Sequence, residues 1–363
     1  MNWAQKRLAD VVELRRGFDL PHPQRRDGVV PVLSAGQAVG RHDTAMVKGP
    51  GFAIGRATNL GAPVWSDADY WPLNTTLYAA DFKGNDPRFL YWLFQVTDLT
   101  GYDSGSVQPM LNRNYIAKVE VPLPPVGEQR AIAEVVGALD DAISANDRLI
   151  GQAEDLSVVL AAQGSGTVPL AEIAKHVRVT TNPQAMGDTI VDHYSLPAYD
   201  TTKMPERVRS VEILSGKFRI GQPSVLLSKL NPRFPRVWDV ATASDNSVSS
   251  TEFVVLESHS VSTSVLWALL CQPHVSEYLC ERVSGTSGSH QRVKPQDVMR
   301  TPVCDPSSIE TAVQDRITGV CAAASAKRRQ NQALAALRDA LLPELMSGRI
   351  RVKDAQQRVE EAI

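Results

Sequence analysis

From about Gly127 onward, apolar side chains return every seven residues. Ile132, Leu139, Asn146, Ala153 and Leu160 occupy one heptad position, and Val136, Ile143, Ile150 and Ser157 the other. Glu, Asp, Arg and Gln fill the remaining places, so the pattern predicts one long helix with a single apolar seam. At ~1.5 Å per residue, about 35 residues would span about 50 Å. A second stripe runs from about 308 to 346. Val313, Val320, Leu334 and Leu341 share one position, with Lys327 intervening, and Ile317, Ala324, Asn331 and Leu345 share the other, interrupted by Arg338. A lone helix with one apolar seam needs a partner, and the short linkers favour an antiparallel pair. Asn146 and Asn331 sit on the seams, where asparagine costs stability but fixes register and pairing. Gly137 and Gly151 weaken the first helix without ending it. Gln163-Gly164-Ser165-Gly166-Thr167 breaks it, and Ser347-Gly348 stops the second.

The rest of the chain alternates short β-leaning runs with turn residues. Residues 29–33, 51–54 and 76–79 read as strands, and Asp86-Pro87 opens a short helix to about Thr97 with Leu90, Leu93 and Phe94 on its apolar side. Much of this pattern recurs. Gly51-Phe52-Ala53-Ile54-Gly55-Arg56 followed by Trp65 returns as Ser224-Val225-Leu226-Leu227-Ser228-Lys229 followed by Trp238, an offset of 173 (65 to 238). Asn74 to Tyr78 matches Ser249 to Phe253, and Trp92 matches Trp267, both at 175; Pro122 and Pro302 close the copies at 180. Lys6 to Val11 plays the part of Val168 to Ile173. The expected fold class is α+β: two similar globular units separated by an antiparallel pair of long helices, with pseudo-twofold symmetry. The expected boundaries are 1–125 for the first unit, 126–163 for the central helix and 164–307 for the second unit. A C-terminal helix over 308–348 and a terminal strand or tail over 349–363 complete the chain.

Composition narrows the class. At 363 residues and 43% apolar, the chain has room for two or three domains with sizeable cores. Its apolar runs are too short for a bilayer, and no basic leader with an apolar segment opens it, so a cytoplasmic address without membrane contact is expected. Cys271, Cys280, Cys304 and Cys321 form no C-x-x-C pair, which suggests neither zinc nor a disulfide framework. Net charge is −2, yet residues 201–236 hold Lys203, Arg207, Arg209, Lys217, Arg219, Lys229, Arg233 and Arg236 against Glu206 and Glu212, a net +6. That window is either a phosphate-facing stripe or a solvated face.

A reactive constellation is missing from the sequence. The seven histidines are scattered, no H-E-x-x-H, G-x-G-x-x-G or Walker lysine loop is present, and Asp140-Asp141 point apart on a helix. Asn231-Pro232-Arg233-Phe234 superficially resembles the Asn-Pro-Pro-aromatic loop of amino-methyltransferases. Arg233 replaces the second proline and no glycine-rich cofactor loop accompanies it, so a basic turn is the better reading. Neither metal nor catalysis is expected on this chain. Two similar units on a helical spacer suit a double-stranded DNA reader, the helices fixing an unread gap of at most about 15 base pairs. Candidate readers are Arg56, Ser106, Gln108, Asn112 and Arg113 in the first unit. In the second they are Lys229, Arg233, Ser289, His290, Gln291, Arg292 and Lys294. The alternative is a non-catalytic scaffold whose paired domains bind proteins.

Val121-Pro122-Leu123-Pro124-Pro125-Val126-Gly127-Glu128-Gln129-Arg130-Ala131-Ile132-Ala133, running into Leu139-Asp140-Asp141-Ala142-Ile143, closely resembles the central conserved region of the DNA-specificity subunits of type I restriction-modification enzymes. Leu337 to Ile350 resembles the end of their second conserved region, and Ser287 to Pro295 is similar to the loop closing a target-recognition domain. The resemblance covers nearly the whole chain. It implies two target-recognition domains, an asymmetric bipartite DNA target, and docking of two modification subunits on 126–160 and 309–346, with restriction subunits in the complete enzyme. It places S-adenosylmethionine, ATP, Mg and N6-adenine methylation on those partners, and no cofactor on this chain. One departure stands out: Pro302-Val303-Cys304-Asp305-Pro306 lacks the Pro-x-x-Glu-Gln opening of the second helix.

Overall fold

Both heptad stripes are helices, Val126–Ala161 and Thr311–Met346, in the computed structural model, which describes residues 3–104, 109–283 and 291–363. The chain divides into two units: Met1–Ile143 with Ala333–Ile363, and Ser144–Gln332. Each unit therefore contains part of both long helices. No helix among the described residues is long and apolar enough to cross a membrane.

The first unit is built on a four-stranded antiparallel sheet in the order Glu13–Arg16, Thr76–Asp81, Gly51–Gly55, Pro63–Ser66. Helix Pro87–Val96 covers one face. Asp86 starts it by accepting a 2.9 Å bond from the Phe89 amide, and Pro87 stands where its missing N–H costs nothing. Phe89, Leu90 and Leu93 then bury against Phe52, Ile54 and Leu77, in a core that also takes Ile132, Val136 and Leu139 of one long helix and Leu334, Leu341 and Leu345 of the other. Gln129, fully buried, locks this junction. Its amide nitrogen donates to Asn85 Oδ1 and the Pro124 carbonyl at 2.9 Å, and its oxygen accepts from the Asp86 amide at 2.9 Å.

The second unit repeats the plan. Its sheet runs Ala174–Val177, Phe253–Ser258, Ser224–Ser228, Val237–Val240, again antiparallel throughout, and Ser262 caps the covering helix Thr263–Leu270. Strand Ala4–Arg7 pairs with Glu120–Leu123 in one unit, and Thr167–Pro169 with Pro302–Cys304 in the other. A smaller sheet in each contains one parallel pairing, Val32 with Trp71 and Asp192 with Ser247. The second junction lacks a glutamine at the expected place. Gln314 does comparable work there, donating to the Pro306 and Ile309 carbonyls at 3.0 Å.

The duplication holds for the four-stranded sheet, its covering helix and the closing strand pair, whereas the smaller sheet has three strands in the first unit and five in the second, and the matched tryptophans do not coincide. Trp65 lies opposite Phe52, whereas Trp238 lies opposite Leu226 and it is Asp239 that lies opposite Val225. Phe52 and Val225 both face the covering helix, so the counterpart of Trp65 is Asp239. Trp238 turns to the other face, against Tyr194 and Tyr199 with ring centroids 4.9 and 5.5 Å away. Strand side chains alternate, so a slip of one residue reverses a face. The helices slip likewise: aligned on their caps Asp86 and Ser262, Trp267 corresponds to Tyr91 rather than Trp92.

The seam residues differ in burial. Ile132, Val136, Leu139, Asn146, Ile150, Ile317, Leu334 and Leu341 are buried, and Ile143, Val313, Val320 and Asn331 are half-buried. Within the second unit the helices are antiparallel, since Asn146 meets Asn331, Glu154 meets Arg328 and Ser157 meets Cys321. Asn146 Nδ2 donates to Asn331 Oδ1 at 2.8 Å and to Gln330 Oε1 at 3.1 Å, while Asn331 Nδ2 donates to Asp147 Oδ1 at 2.8 Å. A buried Leu or Ile stabilises by about 1.5–3 kcal/mol and a neutral hydrogen bond by about 1, so the apolar positions hold the pair and the asparagines set its register. The C-terminal residues form helix Val352–Glu360 instead of the expected strand or tail. Val352, Ala355 and Val359 recur at three and four residues, a helical period, and pack into the first unit's core.

Replacing Asn331 with Leu removes an acceptor from the buried Asn146 amide. Urea unfolding of Asn331→Leu should show a loss of about 1–2 kcal/mol, and adding Asn146→Leu should recover it. A neutral single variant would remove the pair's structural role.

Candidate nucleic-acid interface

Arg56 and Lys229 each stand one residue past a fully buried strand, Gly51–Gly55 and Ser224–Ser228. Their backbones are held alike. The Arg56 amide donates to the Thr75 carbonyl at 2.8 Å and its carbonyl accepts from Leu111 at 2.8 Å. The Lys229 amide donates to the Glu252 carbonyl at 2.8 Å and its carbonyl accepts from Val293 at 3.0 Å. The segments carrying the other candidate readers are thereby drawn to the ends of these strands: 109–113 in the first unit and 291–294 in the second. Ser106, Gln108, Ser289 and His290 lie outside the described residues.

The remaining candidates divide by what already engages them. Asn112 caps helix Arg113–Ile116 by accepting from the Asn114 amide at 3.0 Å, a structural task for its side chain. Arg113 is exposed and its guanidinium reaches back to the Leu14 carbonyl at 3.4 Å. Gln291 is held by its carbonyl, which accepts from the Asn231 amide at 2.9 Å. Lys294, exposed, stands at the N-cap of helix Pro295–Met299. Arg233 is exposed in a turn that Asn231 makes at φ +51, its guanidinium 6.0 Å from the ring of the exposed Phe234. Arg292 is paired: its Nε and Nη2 donate to the two Glu252 oxygens at 3.0 and 3.2 Å.

Two basic residues escaped the sequence reading. Arg16 pairs with Leu77 at the end of the first strand, and Arg178 stands one residue past Val177 at the end of the corresponding strand. Both are exposed. They lie 162 residues apart (178 − 16), the same offset as Leu8 and Leu170, so carrying that match a few residues further would have found them. Arg178 and Arg292 are close enough to Lys229 to depress its ammonium pKa, although burial is the larger cause and Glu252 opposes it. His176 is lowered by burial first, then by Arg178 and Lys229. These cations repel one another, a cost that a phosphate placed among them relieves.

The basic window 201–236 is largely spent inside the second unit. Lys203 pairs with Glu154, Arg207 with Asp192, Arg209 with Asp188 and Arg236 with Asp200, while Lys217 is buried on Ser215. All four acids lie before residue 201, so a charge count over the window misses them. Among the described residues, no group of three or more His, Cys, Asp or Glu is arranged to hold a metal ion.

Residues 1–154 match the family model described as the type I restriction modification DNA specificity domain. Comparison with curated proteins returns no match. Among solved structures, the S subunit of a type I restriction-modification system from M. genitalium has a TM-score of 0.59 at 14% identity, covering 95% of this chain and 96% of that one. The HsdS subunit from Thermoanaerobacter tengcongensis aligns over 96% of this chain and 97% of its own, at 16% identity and a TM-score of 0.34. The family match thus takes in the first unit up to Ile143 and most of the central helix, and leaves residues 155–363 outside it. The chain as a whole shares the fold of the M. genitalium S subunit.

Arg16→Ala and Arg178→Ala should each weaken DNA binding evenly across sequences and lower the slope of log affinity against log salt by about 1. Glu252→Gln should act oppositely, raising non-specific affinity at low salt. Filter binding at several salt concentrations checks both, and an unchanged slope in all three variants would remove this cluster from the interface.

Proposed function

We propose that this chain is the non-catalytic DNA-specificity subunit of a type I restriction-modification enzyme, reading an asymmetric bipartite double-stranded target. The observation that carries the reading is the duplicated setting of Arg56 and Lys229, each accompanied by a strand-end arginine, Arg16 or Arg178. The family match over residues 1–154 supports the same class. Residues 1–125 and 164–307 act as the two readers, while 126–163 and 308–348 act as spacer and docking surface. Strand-end cations bind phosphates and fix register, and polar side chains of the adjoining loops read base edges. The loop residues Ser106, Gln108, Ser289 and His290 belong to that reading set.

The halves differ where they would meet DNA. Aligned on Arg56 and Lys229, Thr75 and Met110 of the first unit correspond to Glu252 and Arg292 of the second. The first unit thus lacks the Arg–Glu pair of the second, which supports two different half-sites. Two modification subunits, carrying S-adenosylmethionine, methylate adenine at N6. Restriction subunits, using ATP and Mg, cleave in the complete cytoplasmic enzyme.

Exchanging residues 168–305 for another recognition domain should change one half of the methylated target and leave the other, as read by methylome sequencing of a host carrying the partner subunits. Change in both halves, or in neither, would sink the modular reading. Ile143→Asp should impair assembly with the modification subunits, seen by size-exclusion chromatography, without altering the bases chosen by any complex that forms.

A further inference from the structure

The two units treat one equivalent place in opposite ways. In the first, Arg88 at the second position of the covering helix lies over the rings of Trp65, Tyr91 and Trp92, 4.6, 5.2 and 5.4 Å from their centroids. Its guanidinium donates to Asp140 at 3.2 Å, and Asp140 also accepts from Arg338 at 3.0 Å. A resident guanidinium fills the place, stacked on aromatics and paired with a carboxylate.

In the second unit the same positions are small or reversed in polarity. The strand register puts Asp239 at the place of Trp65, and the helix caps put Ser264 at that of Arg88 and Trp267 at that of Tyr91. Heptad positions of the two long helices correspond at 181 residues (132 to 313, 136 to 317), which relates Asp140 to Cys321 and Arg338 to Ser157. The contacts agree, because Cys321 Sγ meets Ser157 Oγ at 3.5 Å just as Asp140 meets Arg338. A cavity of about 1130 Å³ opens there, lined by Asp239, Ser264, Trp267, Cys321, Tyr199 and Trp238 among others. Asp239 Oδ2 accepts from Ser264 at 2.5 Å, but Oδ1 is buried without a hydrogen-bond partner among the described residues.

We infer that this cavity binds a guanidinium group from outside the chain, held by Asp239 and stacked on its aromatic wall. The internal repeat itself shows which group suits the place. Guanidinium is weakly hydrated, stacks on rings and donates in pairs to a carboxylate, so burial costs it less than an ammonium. Of the cations that line the cavity, Arg328 and Lys203 are both engaged by Glu154 and Arg207 by Asp192, while Arg329 is exposed on the helix surface. Burial raises the Asp239 pKa, with the Ser264 and Thr263 hydroxyls and Arg328 acting against it.

Calorimetric titration of the full chain with n-propylguanidine and with N-acetyl-arginine-N-methylamide tests this without DNA or partner subunits. Saturable binding below about 10 mM is expected. Asp239→Asn should weaken binding about tenfold or more. Ser264→Arg should supply the group internally, blocking the ligand and raising the melting temperature. Arg88→Ala should create a second propylguanidine site in the first unit, seen as recovery of its lowered melting temperature. Binding of propylguanidine alone assigns the cavity to a small guanidino compound; binding of both ligands assigns it to an arginine side chain of a protein. No saturation with either ligand, or binding indifferent to both Asp239→Asn and Ser264→Arg, overturns the inference.

Discussion

A helix with a single apolar stripe cannot stand alone in water, and both long helices of this chain have one. Covering that stripe is the constraint on which the other features depend. In the first unit Ile132, Val136 and Leu139 share a core with Leu334, Leu341 and Leu345, and the sheet and its covering helix close over the same cluster. In the second, Ile317 joins Leu160 and the strands of the repeated sheet. Apolar packing alone tolerates sliding by a heptad, since one Leu replaces another. The Asn146–Asn331 bond does not, because a slide would leave amides buried without partners.

Duplication then acts at two levels that obey different rules. The order of the main sheet is robust, because it follows from which strands are apolar on both faces and which sit at the edge, and both four-stranded sheets share it. Side-chain placement is fragile, because one inserted residue turns a strand over. Trp65 meets Tyr91 of the covering helix, the rings tilted to one another, while Trp238, its match by sequence, faces Tyr194 and Tyr199 on the other side. Such slips let two copies keep one architecture and still present different chemistry, as Asp239 does at the place of Trp65.

Charge was the least legible property in the chain. Eight basic residues in one window read as either a phosphate-facing stripe or a solvated face, yet four of them neutralise acids brought from earlier in sequence. Arg16 and Arg178, unremarkable in a charge count, end equivalent strands beside the candidate reading segments. A cation's availability depends on who stands next to it, and Coulomb energy follows distance in space rather than along the chain.

The long helices, their seams, the duplication, the two seam asparagines and the capped helix at Asp86 were all set by local pattern. A period of seven or two, or a cap followed by proline, is written in neighbouring residues. The grouping of Arg56 with residues 109–113 and of Lys229 with residues 291–294 was also legible, through the repeat. Only the tertiary structure decided which face each tryptophan takes, which basic side chains are already paired, and that residues 352–360 close the first core as a helix. It alone revealed that Arg88 plugs in one unit the place that stands open in the other. These depend on register and on contacts between distant segments, and packing selects them after the elements have formed.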